Sequence, residues 1–368
     1  MKAHDFTPII RQVLAEAFGT ASDSIFKQSE LIQYLNVKTI SASRGSKARG
    51  SFGNIYAIYV LVEDYVKRGF HLTGDYEDAP GANFSDLLKR QRQLPFGSKL
   101  QNHALNHRLN QEFRRYFPLT NVQPILRDPE THQYWINEHL LQVEVNDQEF
   151  NLAEAIIRII DAYVDARQAA FTSFIRDCQK MQQLSADKPE EVIAFIASLL
   201  RPNVDARIFE IVSFAILKAH YGDQSIFWGW ELDQIAEEPL VLYKTGRTNA
   251  NDGGIDFVMR PLGRFFQVTE TLDVRKYFLD IDKVQKYPIT FVVKTETAVT
   301  EIKQAIEDQA KEQYPVQAIV KRYMACVEEV INIPILLDRL QVVAKSNSLN
   351  SVIGEIVKHS KVEFNLAD

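Results

Sequence analysis

The chain has 368 residues and a net charge of −6, and 46% of its residues are hydrophobic while 24% are charged. This length exceeds one typical hydrophobic core, so two or three domains are expected, and the composition argues against extensive disorder. No apolar run reaches the roughly 18 residues of a membrane helix, and the first residues lack the apolar core of a secretory signal, so we expect a cytoplasmic protein without a membrane partner.

Basic residues are concentrated in the N-terminal part of the chain. Residues 1–120 contain 16 Lys+Arg and 11 Asp+Glu, a net charge of +5, which leaves −11 for the rest of the sequence. A local basic patch can bind phosphate even on an acidic protein. The total charge therefore does not exclude DNA as a partner.

The first predicted elements are helices separated by a basic loop. Helical spacing over 6–18 ends at Gly19, and Ser29 begins a second short helix. Residues 38–51 form a small, hydroxyl-rich and basic loop before an apolar helix over 52–66. Such a loop suits phosphate contact because its backbone can approach a charged ligand closely, although a solvated surface loop is an equal alternative. The candidate DNA-binding residues in it are Arg44, Lys47 and Arg49.

Residues 85–116 are basic and rich in Asn and Gln, the residue types that can read base edges. His103 and His107 have the spacing of a metal pair, but no third ligand is evident, so an exposed polar helix face is favoured. Short strands over 122–150 and a helix over 151–180 follow. These elements predict a mostly helical DNA-recognition domain over residues 1–186, with a small β hairpin near 122–150.

The following region alternates helices and strands. A helix over 206–221, introduced by Asp205, is apolar nearly all round and should be buried against a sheet. The predicted elements after it are strands over 226–230, 240–243, 255–260, 264–270 and 289–294, with helices over 277–286 and 299–309. This order predicts an α/β domain over 187–314. Residues 315–368 are predicted to be C-terminal helices that cover the sheet or dimerise, and Cys178 and Cys326 to be buried thiols.

The chemically distinctive stretch is a predicted hairpin around residues 251–270. Asp256 follows two glycines inside an apolar strand, where an acid is costly unless something charged pairs with it. A turn at 261–263 leads to a second strand with polar residues at its far end, Gln267, Thr269 and Glu270. Glu210 is a further acid, in the first turns of the buried helix. The hairpin is therefore a plausible metal site.

These residues resemble the PD-(D/E)XK nuclease superfamily, in particular its Mrr-type variant with a helix acid, Gly-Xaa-Asp and Gln-Xaa-Lys. The corresponding residues here are Glu210, Gly254-Ile255-Asp256 and Gln267-Val268-Thr269. The resemblance covers about residues 204–295. It implies an α/β (α+β) fold with a restriction-endonuclease-like central mixed sheet flanked by helices.

The resemblance also implies an activity, that of a type II restriction endonuclease. Such an enzyme is a sequence-specific, Mg²⁺-dependent nuclease for double-stranded DNA, and a palindromic site implies a homodimer. Asp256 would be the central metal ligand, with Glu210 and Gln267 beside it. The residues expected to face DNA near the cut are Lys244, Arg247, Asn249 and Asn251.

One position departs from the family pattern. Thr269 stands where the family has the lysine that positions and activates the attacking water. Glu270 could serve as ligand or base, although strand alternation points it away from Gln267, and the lysines that could reach in are Lys276, Lys283 and Lys294. Two alternatives stay open: a catalytically decayed nuclease fold that binds DNA or acts in defence, and a helical interaction module unrelated to nucleases.

Overall fold

The computed structural model describes residues 3–40, 48–98, 100–245, 255–270, 274–284 and 286–364. These residues form two compact units, one mainly of residues 1–173 and the other of residues 174–363. The division falls inside a long helix, Ala153–Leu184, and so precedes the boundary predicted near residue 186.

The first unit is mostly helical. Its helices are α1 (Thr7–Phe18), α2 (Ser22–Gln28), α3 (Glu30–Thr39), α4 (Ala48–Lys67), α5 (Phe70–Thr73), α6 (Phe84–Gln93), α7 (Leu109–Tyr116) and the first part of α8 (Ala153–Leu184). Its strands are β1 (Ala82–Asn83), β2 (Ile125–Asp128), β3 (Gln133–Ile136), β4 (Gln142–Val145) and β5 (Gln148–Asn151). A π-helical turn, Ala104–Arg108, precedes α7.

Local sequence signals account for several of these elements. Gly19 ends α1 with a φ of 55°, and the Ser29 hydroxyl caps α3 by accepting a hydrogen bond from the Ile32 N–H at 3.2 Å. Asn146 and Asp147, both with positive φ, make the predicted turn between β4 and β5. Lys38 was predicted in the basic loop but lies in α3, where its ammonium is 2.5 Å from Glu112.

The second unit alternates helices and strands. Its helices after α8 are α9 (Pro189–Ser198), α10 (Ala206–Gly222), α11 (Val274–Lys283), α12 (Val299–Gln313), α13 (Gln317–Ala325), α14 (Ile333–Lys345) and α15 (Leu349–Phe364). Its strands are β6 (Ser225–Trp228), β7 (Ala236–Pro239), β8 (Val241–Lys244), β9 (Phe257–Arg260), β10 (Arg264–Thr269), β11 (Ile289–Val293) and β12 (Val327–Ile331).

A five-stranded mixed sheet organises this unit, with the order β12-β11-β10-β9-β8. Strands β8, β9 and β10 are antiparallel neighbours, whereas β10, β11 and β12 run parallel. Each parallel connection crosses over through helices, α11 in the first case and α12 with α13 in the second. Strand β11 is buried at every position, as expected of a central parallel strand. The predicted mixed α/β class is therefore confirmed.

Helices cover the sheet on both faces. Helix α10 packs on β8 and α14, and the ring of its Phe214 lies 5.2 Å from that of Phe257 on β9. The next residue of β9, Val258, packs against a separate core formed with α11, α12 and α13. Successive strand residues face opposite sides of a sheet, so these two cores lie on opposite faces.

One prediction for the second unit is wrong. Residues 327–331 were predicted to be helical, but they form β12, the edge strand beside β11. The strand predicted over 226–230 belongs to a separate two-stranded hairpin of β6 and β7. Large apolar side chains on this hairpin are exposed, with exposed fractions of 77% for Phe227, 83% for Trp230 and 91% for Leu232.

Two expectations drawn from composition can be compared with the structure. Cys178 and Cys326 are buried free thiols, as predicted. Burial raises the pKa of the Cys178 thiol to about 12, which makes it unreactive as a thiolate. Among the described helices, none has the length and apolar character needed to cross a membrane.

Candidate metal and active site

Asp256 lies at the start of β9, directly opposite the end of β10. Its backbone N–H donates to the Phe266 carbonyl at 3.0 Å, and its side-chain Oδ2 accepts the Val268 N–H at 2.7 Å. The pairing of Phe257 with Phe266, continued by one residue, places Asp256 across from Gln267. The hairpin therefore brings together the acid and the amide predicted to share a metal.

The Asp256 carboxyl group titrates far above its usual range. Its side chain is largely buried but keeps some contact with solvent. Burial, followed by the nearby charge of Glu210, raises the Asp256 pKa to about 7. The Val268 N–H and the ammonium groups of Lys244 and Lys276 act in the opposite direction. A buried carboxyl group with a raised pKa beside a second carboxylate is characteristic of functional sites and favours a bound cation.

Glu210 reaches this site from α10. Asp205 caps that helix by accepting the Arg207 N–H at 2.8 Å, and Glu210 lies one turn further on. The Glu210 carboxylate forms an ion pair of 2.7 Å with Lys244, which was predicted to face DNA. Because Lys244 ends β8, this pair fixes the start of α10 to the sheet.

Gln267 is a buried amide with one atom left unsatisfied. Its side chain is 8% exposed, and its Nε2 donates to the Val268 carbonyl at 3.3 Å. Its Oε1 has no hydrogen-bond partner among the described residues. A buried acceptor without a partner costs about 1–3 kcal/mol. A hard divalent cation prefers oxygen ligands, so this oxygen and the Asp256 carboxylate fit one together.

Lys276 brings an ammonium group close to Thr269, the strand position at which the nuclease pattern has a lysine. Its Nζ lies 3.3 Å from the Thr269 hydroxyl oxygen. Its charge also lowers the pKa of Asp256, so the two groups share one electrostatic environment. Lys276 was one of three lysines predicted to reach in, and it approaches from the first turn of α11.

Glu270 and Lys294 pair with each other. The Lys294 ammonium lies 2.6 Å from the Glu270 carboxylate and also donates to the Val204 carbonyl. Glu270 follows the last residue of β10. Its carboxylate is engaged by the Lys294 ammonium. The predicted role of Glu270 as ligand or base has no support from this geometry.

Arg207 was missed by the sequence reasoning. Burial lowers its pKa, while Glu210, Asp205 and Asp256 act to raise it, so its guanidinium lies in the field of both predicted acidic ligands. It also forms an ion pair with Glu363. The available signal was its spacing, since residues three apart on a helix share a face and Arg207 precedes Glu210 by one turn.

Most of the predicted DNA-binding residues lie outside the described part of the chain. These are Arg44, Lys47, Arg247, Asn249 and Asn251. The backbone of Arg49 lies in α4, but its side chain is outside the description. Lys283, the third lysine predicted to reach in, likewise has no described side chain.

The described residues contain no group of three or more His, Cys, Asp and Glu side chains that could hold a metal. Among the described residues, the candidate site has two carboxyl groups, those of Asp256 and Glu210, and its third ligand group is the Gln267 amide. The rings of His103 and His107 lie 6.0 Å apart on exposed residues, which agrees with a polar helix face.

The raised pKa of Asp256 predicts a stability effect with a defined sign. The ionised form is disfavoured only in the folded state, so the native protein loses stability as the pH rises from about 3.8 to about 7. We expect Asp256→Asn to stabilise the protein, by an amount that grows over this interval to about 4 kcal/mol. Chemical unfolding followed by circular dichroism at pH 5 and pH 8.5 measures the effect. Equal stability of variant and wild type at pH 8.5 would contradict it.

The site consists of two carboxyl groups, one amide oxygen and the ammonium groups of Lys244 and Lys276 at the end of a mixed sheet. It can hold a divalent cation through oxygen and place a positive charge beside a bound anion. Comparison with known proteins gives no match: no model of a protein family, no curated protein and no solved structure is similar to the chain.

Proposed function

We propose that the chain is a Mg²⁺-dependent, sequence-specific endonuclease for double-stranded DNA, a type II restriction enzyme of the PD-(D/E)XK kind. The observation that carries the proposal is the convergence of Asp256, Glu210, Gln267 and Lys276 at one end of the sheet. The unsatisfied Gln267 Oε1 is the most specific part of it, because it is a buried acceptor on the residue that lies across the hairpin from Asp256.

Each of these side chains has a chemical role in phosphodiester hydrolysis. Asp256 and Gln267 would hold Mg²⁺, and Glu210 would complete the site after exchanging its contact with Lys244. Bound Mg²⁺ supplies a Lewis acid for the phosphate and lowers the pKa of an attacking water. The Lys276 ammonium lies where it can donate to a phosphate oxygen and offset the charge that develops there.

The order of elements around the site also supports the proposal. Helix α10, the antiparallel strands β8 to β10, helix α11 and the parallel strand β11 follow one another along the chain. This arrangement is a central mixed sheet flanked by helices, as the resemblance to restriction endonucleases implies. We place the enzyme in the cytoplasm, and a palindromic recognition site would make its active form a homodimer.

Incubation with plasmid DNA tests the proposal. Purified protein, Mg²⁺ and a plasmid with many different sequences should give discrete fragments, and EDTA should prevent their formation. A smear would indicate a nuclease without sequence specificity. Intact plasmid at every protein concentration tested, at both pH 7 and pH 8.5, would count against nuclease activity.

A second candidate function is DNA binding without hydrolysis. The observation in its favour is Thr269, which cannot supply the positive charge that a lysine on the strand would bring. The pairing of Glu210 with Lys244 adds to it, because a ligand engaged by an ammonium group is less available to a metal. A shift of DNA in a gel without cleavage in Mg²⁺ would favour this candidate over the first.

A further inference from the structure

A polar cleft lies in the first unit, between the π-helical turn with α7 on one side and β2 on the other. Its volume is about 520 Å³, and its lining includes Asn106, His107, Arg114, Gln123 and Arg127. No carboxylate is among the lining residues in the described part of the chain. The cleft is therefore polar and positively charged, and it has the size range of small-molecule sites.

Internal hydrogen bonds hold the walls of the cleft in place. Asn110 joins helix to strand, because its Nδ2 donates to the Ile125 carbonyl at 2.8 Å and its Oδ1 accepts the Ile125 N–H at 3.0 Å. The Tyr134 hydroxyl donates to Asn106 Oδ1 at 3.0 Å. Asn106 and His107 belong to the π-helical turn, a rare conformation that is frequent at functional sites.

The hydrogen-bonding groups that remain are mainly donors. The carbonyl oxygens of Asn106 and Gln123 already accept bonds from Tyr134 and Asn110, which leaves their amide N–H groups available. Arg114 and Arg127 are exposed, and within the described ranges neither forms an ion pair. A lining of cationic and N–H donors suits an anion rich in acceptor oxygens.

We propose that this cleft binds a nucleotide through its phosphate, with the amide groups contacting the sugar or a base edge. Guanidinium groups bind phosphate through paired N–H donors, and the cleft volume exceeds what a phosphate alone would fill, which leaves room for a sugar and base. The nucleotide is a unit of a DNA strand, because the exposed Arg115 extends the positive surface along α7 beyond the cleft. The inference does not rest on hydrolysis at the Asp256 site.

Fluorescence anisotropy in EDTA tests the cleft without any contribution from cleavage. One titration uses a labelled DNA duplex of mixed sequence, and the other uses a labelled deoxyadenosine monophosphate. The Arg114→Ala/Arg127→Ala variant should bind DNA roughly tenfold more weakly, and the slope of log affinity against log salt should fall by about two. Gln111→Trp fills the cleft from α7 without changing charge and should also weaken binding.

Lys27→Ala/Lys180→Ala is the matched control, since it also removes two exposed positive charges, both outside the cleft. Loss of DNA binding in both cleft variants but not in this control supports the proposal. Binding of the mononucleotide alone, lost in the same variants, also supports it and identifies a free nucleotide as the source. An equal loss in Lys27→Ala/Lys180→Ala, unchanged binding in Gln111→Trp, or no binding of either probe would overturn it. Circular dichroism confirms that each variant is folded.

Discussion

Asp256→Asn should abolish Mg²⁺-dependent DNA cleavage while the protein stays folded. The substitution keeps the size of the side chain and its acceptor for the Val268 N–H, but it removes the carboxylate that would hold the metal. We expect cleavage to fall about a thousandfold or more, equal to about 4 kcal/mol of transition-state stabilisation. The initial rate of plasmid cleavage at pH 8, where the Asp256 carboxyl is ionised, measures this loss.

A second readout for this variant does not depend on activity. Mg²⁺ should raise the melting temperature of the wild type, because a cation that binds only the folded state stabilises it. It should have little effect on Asp256→Asn. Asp338→Asn is the control, since Asp338 is exposed on α14 and the substitution changes charge in the same way. If Asp256→Asn cleaved DNA at the wild-type rate, the site would be misassigned.

Lys276→Met should reduce cleavage by roughly a hundredfold, the loss typical of one donor that stabilises transition-state charge. Methionine keeps most of the length of the side chain but has no charge, so the ammonium beside Thr269 is removed selectively. Lys276→Arg should retain part of the activity because it retains the charge. Rates measured at saturating DNA separate this effect from weaker binding.

A compensating change sharpens this prediction. In the double variant Lys276→Met/Thr269→Lys, a lysine returns to the strand, and part of the lost activity should return with it. Lys303→Met, on the exposed face of α12, controls for the loss of a positive charge elsewhere in the unit. If Lys276→Met cleaved DNA at the wild-type rate, Lys276 would be dispensable, and Lys294 would be the next candidate for the missing lysine.

Local signals predicted the elements that carry the candidate site. Neighbouring residues encode the cap at Asp205, the apolar helix after it and the turn at residues 261–263. Helix α10 and strands β9 and β10 therefore lie where they were predicted. The approach of Glu210, Asp256 and Gln267 could be anticipated only through the family resemblance. Nothing in the residues themselves fixes the distance between a helix acid and a strand acid far apart in sequence.

The contacts that the sequence did not reveal are tertiary. Residues 327–331 follow a helix and read as its continuation, but pairing with β11 makes them a strand. That strand is also fixed by Glu329, which forms ion pairs with Arg264 on β10 and Arg339 on α14. Likewise, Lys244 was predicted to contact DNA because it precedes a polar loop. Its ion pair with Glu210 could be recognised only in the folded chain.

The exposed hairpin of β6 and β7 determines what intrinsic fluorescence can report. Two of the three tryptophans lie on it: Trp228 and Trp230, whose rings are 4.9 Å apart. Trp230 is already 83% exposed in the native protein, so its emission should change little on unfolding. The third, Trp135, is half-buried in the other unit and donates to the Ala79 carbonyl at 2.8 Å. Tryptophan emission will therefore report the unit of residues 1–173 through Trp135 and the β6–β7 hairpin through the half-buried Trp228, while no tryptophan lies in the five-stranded sheet that holds Asp256.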